Sequence, residues 1–305
     1  MTIPDYQTFM LPFLRILGDE KEHTLKEIYE KLANLFELTD EEREELLPSG
    51  PIKYKNRISW AQTYLKKAGL LESAGRGKFY ITQRGIDVLN EHPDKIDVNY
   101  LERYKEFQEF HGTDNSSSQN EDDYSLPRSI ETNLSPEENL YKSYQDVRKG
   151  LIEELLQTVK SCSPTFFEKL VIDLLLAMGY GGTYDDAGQA IGKSGDDGID
   201  GIIKEDRLGL DVVYIQAKRW EGPVGRPIVQ AFTGSLEGNR ARKGVLITTS
   251  RFTEEAKEYV KRIEKRIVLI DGKTLAELMI DYNIGVYKKA EYIVKSIDSD
   301  YFDAE

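Results

Sequence analysis

The sequence predicts an α+β protein of two domains, the first mostly helical and the second an α/β domain on a mixed sheet. Three observations carry that expectation. The chain has 305 residues, which suits two hydrophobic cores better than one. A run rich in Ser, Asn and acids, HGTDNSSSQNEDDYSLPRS, interrupts it with little to bury. Before that run apolar residues recur at helical spacing. After it, short strands first follow one another and then alternate with helices, the order of a mixed sheet. The expected domains are residues 1–92 and 136–295, with 93–135 as a flexible linker.

In order along the chain, MTIPDYQTFMLPFLRIL is spaced as an amphipathic helix and lacks the basic start and cleavage site of a secretory signal. Thr24 stands where it can cap LKEIYEKLANLF, in which Leu25, Ile28, Leu32 and Leu35 share a face. Thr39 caps a second start, TDEE, with acids in its first turn. NRISWAQTYLKKAGLL gives a helix with Ile58, Ala61 and Leu65 inward, ended by Gly69. LLES and KFYIT follow as short strands around Ala74-Gly75-Arg76-Gly77, and a last helix closes the domain. Helix, glycine stop, strand, glycine-rich tip, strand is the sequence shape of a winged helix. YLERYKEFQEF is a candidate extra helix before the linker.

Beyond the linker, SPEENLYKSYQDVRKGLIEELLQTVK reads as helix with a break expected near Gly150. Pro164 opens a second helix, PTFFEKLVIDLLLAMGY, apolar enough to be largely buried. Strands are expected near 182–185, at 199–204 and at 210–217, then a helix at 225–237. Strand GVLITTS, helix FTEEAKEYVKRIEK, strand RIVLI and helix KTLAELMIDY complete the pattern.

The net charge of −13 argues on its face against nucleic acid, but the charge is unevenly spread. Between 51 and 85 eight basic residues face Glu72 alone; between 113 and 138 seven acids face Arg128 alone. A basic block beside an acidic one is what a ligand meets. Lys53, Lys55, Arg57, Lys66 and Lys67, with Arg76 and Lys78 at the hairpin tip, suit phosphate contact on double-stranded DNA. The bland alternative is ordinary solvated helix flanks. Trp60 and Tyr64, an i, i+4 pair, either read a base or pack against the hairpin. One cysteine, Cys162, allows no intrachain disulfide, and with no apolar run long enough to span a bilayer the cytoplasm is expected.

Residues 210–218 alternate with period two: Val213, Ile215 and Ala217 point one way, Tyr214, Gln216 and Lys218 the other. A turn at 204–208 folds the strand of Asp200 antiparallel beside them, so Asp200, Gln216 and Lys218 can surround one small volume. Asp196 precedes them in the loop GKSGDDG, and Glu168 on the buried helix can add an oxygen. Carboxylates and an amide oxygen suit a hard cation such as Mg²⁺. The lysine ammonium can orient water or stabilise phosphate charge. Zinc is disfavoured, because His23, His92 and His111 all lie in the first 111 residues and Cys162 stands alone. Each residue also has a plainer reading. Asp200 can be a turn residue, Lys218 an exposed strand end, Glu168 a surface acid, and Asp196 a group solvating its loop. A second basic set, Arg219, Arg226, Arg240, Arg242 and Lys243, accompanies the site.

FFEKLVIDLLLAMGYGG, SGDDGIDGII, LGLDVVYIQAKRW, VGRPIVQAFTGSL, KGVLITTSRFTEEA and LIDGKTLAELMI run in order through 164–286. Together they resemble the Mrr-type restriction endonucleases of the PD-(D/E)xK nuclease superfamily, and the N-terminal part resembles the winged-helix domain those enzymes carry. The resemblance implies a restriction-endonuclease-like catalytic domain. Within it Asp200 would be the metal-binding acid, Gln216 would take the place of the second acid, and Lys218 would be the catalytic lysine. Glu168 and Asp196 match positions that the family keeps acidic, and Gln230 falls where a helix Gln recurs near the site. Ile199 stands where the wider superfamily has Pro, and Gln216 brings no negative charge, so a single Mg²⁺ is preferred. The resemblance further implies restriction of DNA with methylated adenine or cytosine by a homodimer or larger assembly. Arg226 and Arg219 would then hold the scissile strand. The alternatives are a junction-resolving or repair nuclease on the same core, or a non-catalytic DNA-binding regulator.

Overall fold

The computed structural model describes residues 2–75, 77–112, 133–181, 198–206 and 210–297. They form two units, 1–145 with 296–305, and 146–295.

The first unit begins with helix α1 (Met10–Ile16), strand β1 (His23–Thr24) and helix α2 (Leu25–Leu35). Helices α3 (Asp40–Glu44) and α4 (Lys53–Lys67) follow, then strands β2 (Leu71–Gly75) and β3 (Lys78–Ile81) and helix α5 (Gln83–Asn90). Local chemistry starts these helices. Thr24 with Glu27 and Thr39 with Glu42 form reciprocal capping boxes, each satisfying two backbone N–H groups that a helix start leaves open. Gly69 stops α4 at φ +71°, and a Cβ there would lie 2.7 Å from the Arg84 guanidinium. The sheet is antiparallel in the order β1-β3-β2; β1 was not expected from sequence. Ile28 and Leu32 are buried as expected, but Leu35 is 61% exposed, because Ala33 and Phe36 turn toward the core instead.

The chain does not become a linker at residue 93. Helices α6 (Val98–Leu101) and α7 (Lys105–His111) bury Leu101 and Phe107 completely in the first core, so residues up to 111 belong to it. Residues 113–132 of the expected linker lie outside the described residues. Ser135 is fully buried and residues to 145 belong to the first unit, so the second unit begins at 146 and not at 136.

Helix α8 (Pro136–Ser161) runs through Gly150 without the expected break. In the second unit, α9 (Pro164–Ala177) starts at a Ser163 cap with Pro at its first position. Strands β4 (Gly201–Lys204), β5 (Val212–Lys218), β6 (Lys243–Thr248) and β7 (Arg266–Ile270) form one sheet in that order. The β4–β5 pair is antiparallel and the other two pairs are parallel, as the strand-then-alternation pattern requires. Helices α10 (Arg226–Gly238), α11 (Glu254–Lys261) and α12 (Gly272–Asp281) complete the unit.

The sheet divides two apolar layers. Leu155 and Val159 of α8, the inward side of α9, and Leu275 and Met279 of α12 pack with Val213 and Ile215 on one face. Val229, Phe232 and Leu236 of α10 and Ala256 of α11 pack with Leu246, Ile267 and Tyr214 on the other. β5 therefore shows the alternation read from sequence, and Gln216 lies on it between buried Ile215 and partly buried Ala217. The strand expected near 182–185 is outside the described residues.

Candidate active site

Asp200 sits one residue before β4, and the register Gly201↔Ile215 brings it across from Gln216. Its N–H donates to the Ile215 carbonyl at 2.9 Å, and its Oδ2 accepts from the Ala217 N–H at 2.7 Å. The carboxylate is thus held against β5 by backbone at both ends. Gln216 is 5% exposed. Its Nε2 donates to the Gly198 carbonyl, which fixes the amide orientation because a carbonyl takes only a donor. Its Oε1 is left buried with no hydrogen-bond partner among the described residues. Gly198 has φ +74°, and a Cβ there would come within 2.8 Å of the Gln216 Nε2, so only glycine suits the position.

Glu168, half-buried on α9, completes the acidic set. Burial and then the charge of Asp200 push its carboxyl above the ordinary glutamate range. Two acids are thus close enough to repel. Lys218 is half-buried at the end of β5, on the same face of the strand as Gln216. Its carbonyl accepts from the Thr248 hydroxyl at 2.8 Å and from the Thr249 N–H at 3.3 Å. Thr249 Oγ1 also accepts from the Trp220 N–H and donates to the Trp220 carbonyl. Thr248 and Thr249 are buried, and they set where the lysine leaves the sheet. Sequence reading passed over them; the signal was two hydroxyls ending an otherwise apolar strand, GVLITTS.

Asp196 lies outside the described residues, and Gln230 is exposed on α10. Among the described residues no three His, Cys, Asp or Glu side chains come together. The donor set at Asp200 nevertheless fits a hard cation. Its atoms are all oxygens, one buried acceptor has no partner among the described residues, and the charge of Asp200 bears on Glu168.

The expected DNA-contact residues divide. Arg57 is withdrawn: it is 8% exposed, donates to the carbonyls of Ile3 and Pro4, and forms a two-pronged bond with Glu138. A guanidinium so committed has no face left for phosphate. Lys53 pairs with Glu45 at 2.6 Å and Lys78 with Glu22 at 3.4 Å, both at the surface. Lys55 lies over the rings of Tyr29 and Tyr54, and Lys67 over Phe110. Lys66 is exposed, and Arg76 lies outside the described residues. In the second unit Arg219 donates to the Lys160 carbonyl at 2.7 Å and Arg226 lies over Tyr259; both side chains remain exposed. Lys243 is taken up by Glu205 and Asp211. Tyr64 packs, edge-on to Tyr6, Trp60 and Phe107.

Known families match both units. Residues 159–279 match a catalytic family described as restriction endonuclease, and residues 6–91 match the Mrr N-terminal domain. Fold and matches together define a restriction endonuclease with a separate N-terminal domain. The chain is 38% identical over 313 residues to the type IV methyl-directed restriction enzyme EcoKMrr of Escherichia coli K12, covering 99% of this chain and 100% of that one. It belongs to the Mrr family. Among solved structures, the MspJI restriction endonuclease in complex with a 27-mer oligonucleotide matches at 25% identity and a TM-score of 0.34, over 45% of this chain and 33% of that one. So partial a likeness bears on nothing below.

Proposed function

We propose that this protein is a Mg²⁺-dependent endonuclease that hydrolyses phosphodiester bonds in double-stranded DNA bearing methylated adenine or cytosine. The observation that carries the reading is the Gln216 Oε1 beside Asp200, buried and without a partner among the described residues. A native core rarely leaves such an atom without a use.

Asp200 and Gln216, with Glu168, hold the cation through oxygen. When bound, Mg²⁺ supplies Lewis acidity at the scissile phosphate. The Ala217 N–H fixes one Asp200 oxygen and so aims the other. Lys218 orients the attacking water and steadies charge building on the phosphate, and the Thr248–Thr249 clamp sets its position. Asp196, on its loop, is a further acidic group of the site. A neutral Gln in place of a second acid favours one cation over two.

The first unit reads DNA as a winged helix, with α4 in the major groove and the β2–β3 hairpin as wing. Lys53, Lys55, Lys66, Lys67, Arg76 and Lys78 contact phosphate, while Arg219 and Arg226 hold the strand at the site. A homodimer in the cytoplasm cuts both strands. The methyl-directed relative supports the choice of substrate.

The test is cleavage of one plasmid, prepared with and without adenine or cytosine methylation, in Mg²⁺ and in EDTA. Asp200→Ala runs beside it as the control for contaminating nuclease. Cutting of a methylated form alone, and only with Mg²⁺, is expected. Equal cutting of every form would remove the methyl reading, and cutting by Asp200→Ala would remove the site.

A further inference from the structure

A cleft of about 440 Å³ lies against the outward face of α4. Ile52, Asn56, Ser59 and Thr63, spaced by three or four residues, form one wall with Lys55 and Trp60 between them; Tyr29 of α2 and Glu137 at the start of α8 form the others. The opposite face of α4, with Ile58, Ala61 and Leu65, is buried in the core. Tyr29, Ile52 and Trp60 are each packed on that core while part of the side chain remains in the cleft. Trp60 is steadied edge-on to Tyr64, with ring centres 6.0 Å apart, and Tyr29 Oη is hydrogen-bonded to Ser59 Oγ at 2.7 Å. The apolar walls are held in place before any ligand arrives.

Glu137 is the unexpected member. It stands beside a helix carrying Lys53, Lys55, Lys66 and Lys67, where a carboxylate weakens attraction for phosphate. It accepts from the Asn56 Nδ2, and a carboxylate has about four acceptor sites, so that bond does not exhaust it. In the major groove adenine and cytosine present an exocyclic amino donor at the base edge, whereas guanine and thymine present acceptors there. A carboxylate beside an aromatic wall matches an amino N–H beside a methyl group. That pair occurs in N6-methyladenine and in 5-methylcytosine.

We propose that this cleft reads the methylated base, with Glu137 accepting from the amino group and Trp60 and Ile52 covering the methyl. The proposal rests on the methyl-directed reading above and locates it in named residues.

The test is binding of the full-length protein, in EDTA so that nothing is cut, to duplexes that differ only in one methyl group on adenine or cytosine. Wild type is expected to prefer a methylated duplex. Trp60→Ala should lower the ratio of methylated to unmodified affinity about fourfold or more, the worth of one buried methyl. Glu137→Gln should lower the methylated affinity about fivefold, as a charged acceptor becomes a neutral one. Glu137 lies outside the apolar core, so this variant keeps the test decisive should Trp60→Ala fail to fold. A preference unchanged in folded Trp60→Ala, or a methylated affinity unchanged in Glu137→Gln, overturns the cleft and leaves the methyl-directed reading standing. Absence of preference in wild type overturns both.

Discussion

The start of α8 and the candidate active site both bury polar side chains, and they do it differently. Where α8 begins, Asn56, Arg57 and Ser135 are buried beside Glu138 and their bonds close on one another, with Glu137 at the rim keeping acceptor capacity beyond its bond from Asn56. Ser135 Oγ donates to Asn56 Oδ1 at 2.8 Å, Asn56 donates to Glu137, and Glu138 takes Arg57 as well as the Ser135 N–H. At the candidate active site Gln216 is just as buried, yet half of its amide has no partner among the described residues. A closed network holds a helix start against α4. An open one keeps an acceptor for something that arrives later. The same rule, that buried polar groups must be paired, separates a structural cluster from a working one.

The comparison breaks first at its catalytic side. Asp200→Ala should reduce cleavage to background while DNA binding stays near wild type, measured by nicking and by gel shift. Lys218→Ala should cost about 10²–10³ in cleavage rate with binding again preserved, the scale for losing one group that stabilises transition-state charge.

On the structural side, Arg57→Ala should destabilise the protein by about 3 kcal/mol, because it strands a mostly buried Glu138 carboxylate. Chemical denaturation measures this. The salt slope of DNA binding should not change, which separates a structural arginine from a phosphate contact. The same pair sets an acid dependence. Burial pushes the Glu138 carboxyl up, but the hydrogen bonds from Arg57 and the Ser135 N–H outweigh it and hold it below the usual range. With the folded value depressed, the contribution is present above the unfolded value of about 4.3 and is lost as pH falls through the folded one. A melt series in acid should show that loss in wild type and not in Arg57→Ala.

Smaller effects sharpen the contrast. Gln216→Leu should change stability by about 1 kcal/mol or less, since losing the bond to Gly198 is offset by removing an orphaned acceptor. Cleavage should nevertheless fall strongly. Gly198→Ala should cost about 1–2 kcal/mol for its left-handed backbone, and should also weaken cleavage by pushing the Gln216 amide. Either variant cutting at the wild-type rate would show that the open amide has no catalytic use.

Much of this was legible in the chain because the signals were local. Both capping threonines, the Gly69 stop and the alternation of 213–218 are short-range patterns whose physics needs no partner. Leu35 misled because four apolar residues on a helical period do not say how wide the buried stripe is. Arg57 misled for a different reason: its partner Glu138 is 81 residues away, beyond a run that resembles a linker. Phe107 and Leu101 belong to the first core for reasons that only packing reveals. Thr248 and Thr249 were invisible as positioning residues because their acceptors and donors, at Lys218 and Trp220, are set by the parallel register of β5 and β6. Composition can nominate a site, but only the register says which atoms in it are left unpaired.

The most direct measurement is Mn²⁺ binding, followed by electron paramagnetic resonance, to wild type, Asp200→Ala and Gln216→Leu with uncut DNA present. Mn²⁺ shares the oxygen preference of Mg²⁺ and reports its own occupancy. One bound ion per chain in wild type is predicted, with affinity at least about tenfold weaker in Gln216→Leu and abolished in Asp200→Ala. Equal binding by all three proteins would contradict the assignment of the open amide to a metal.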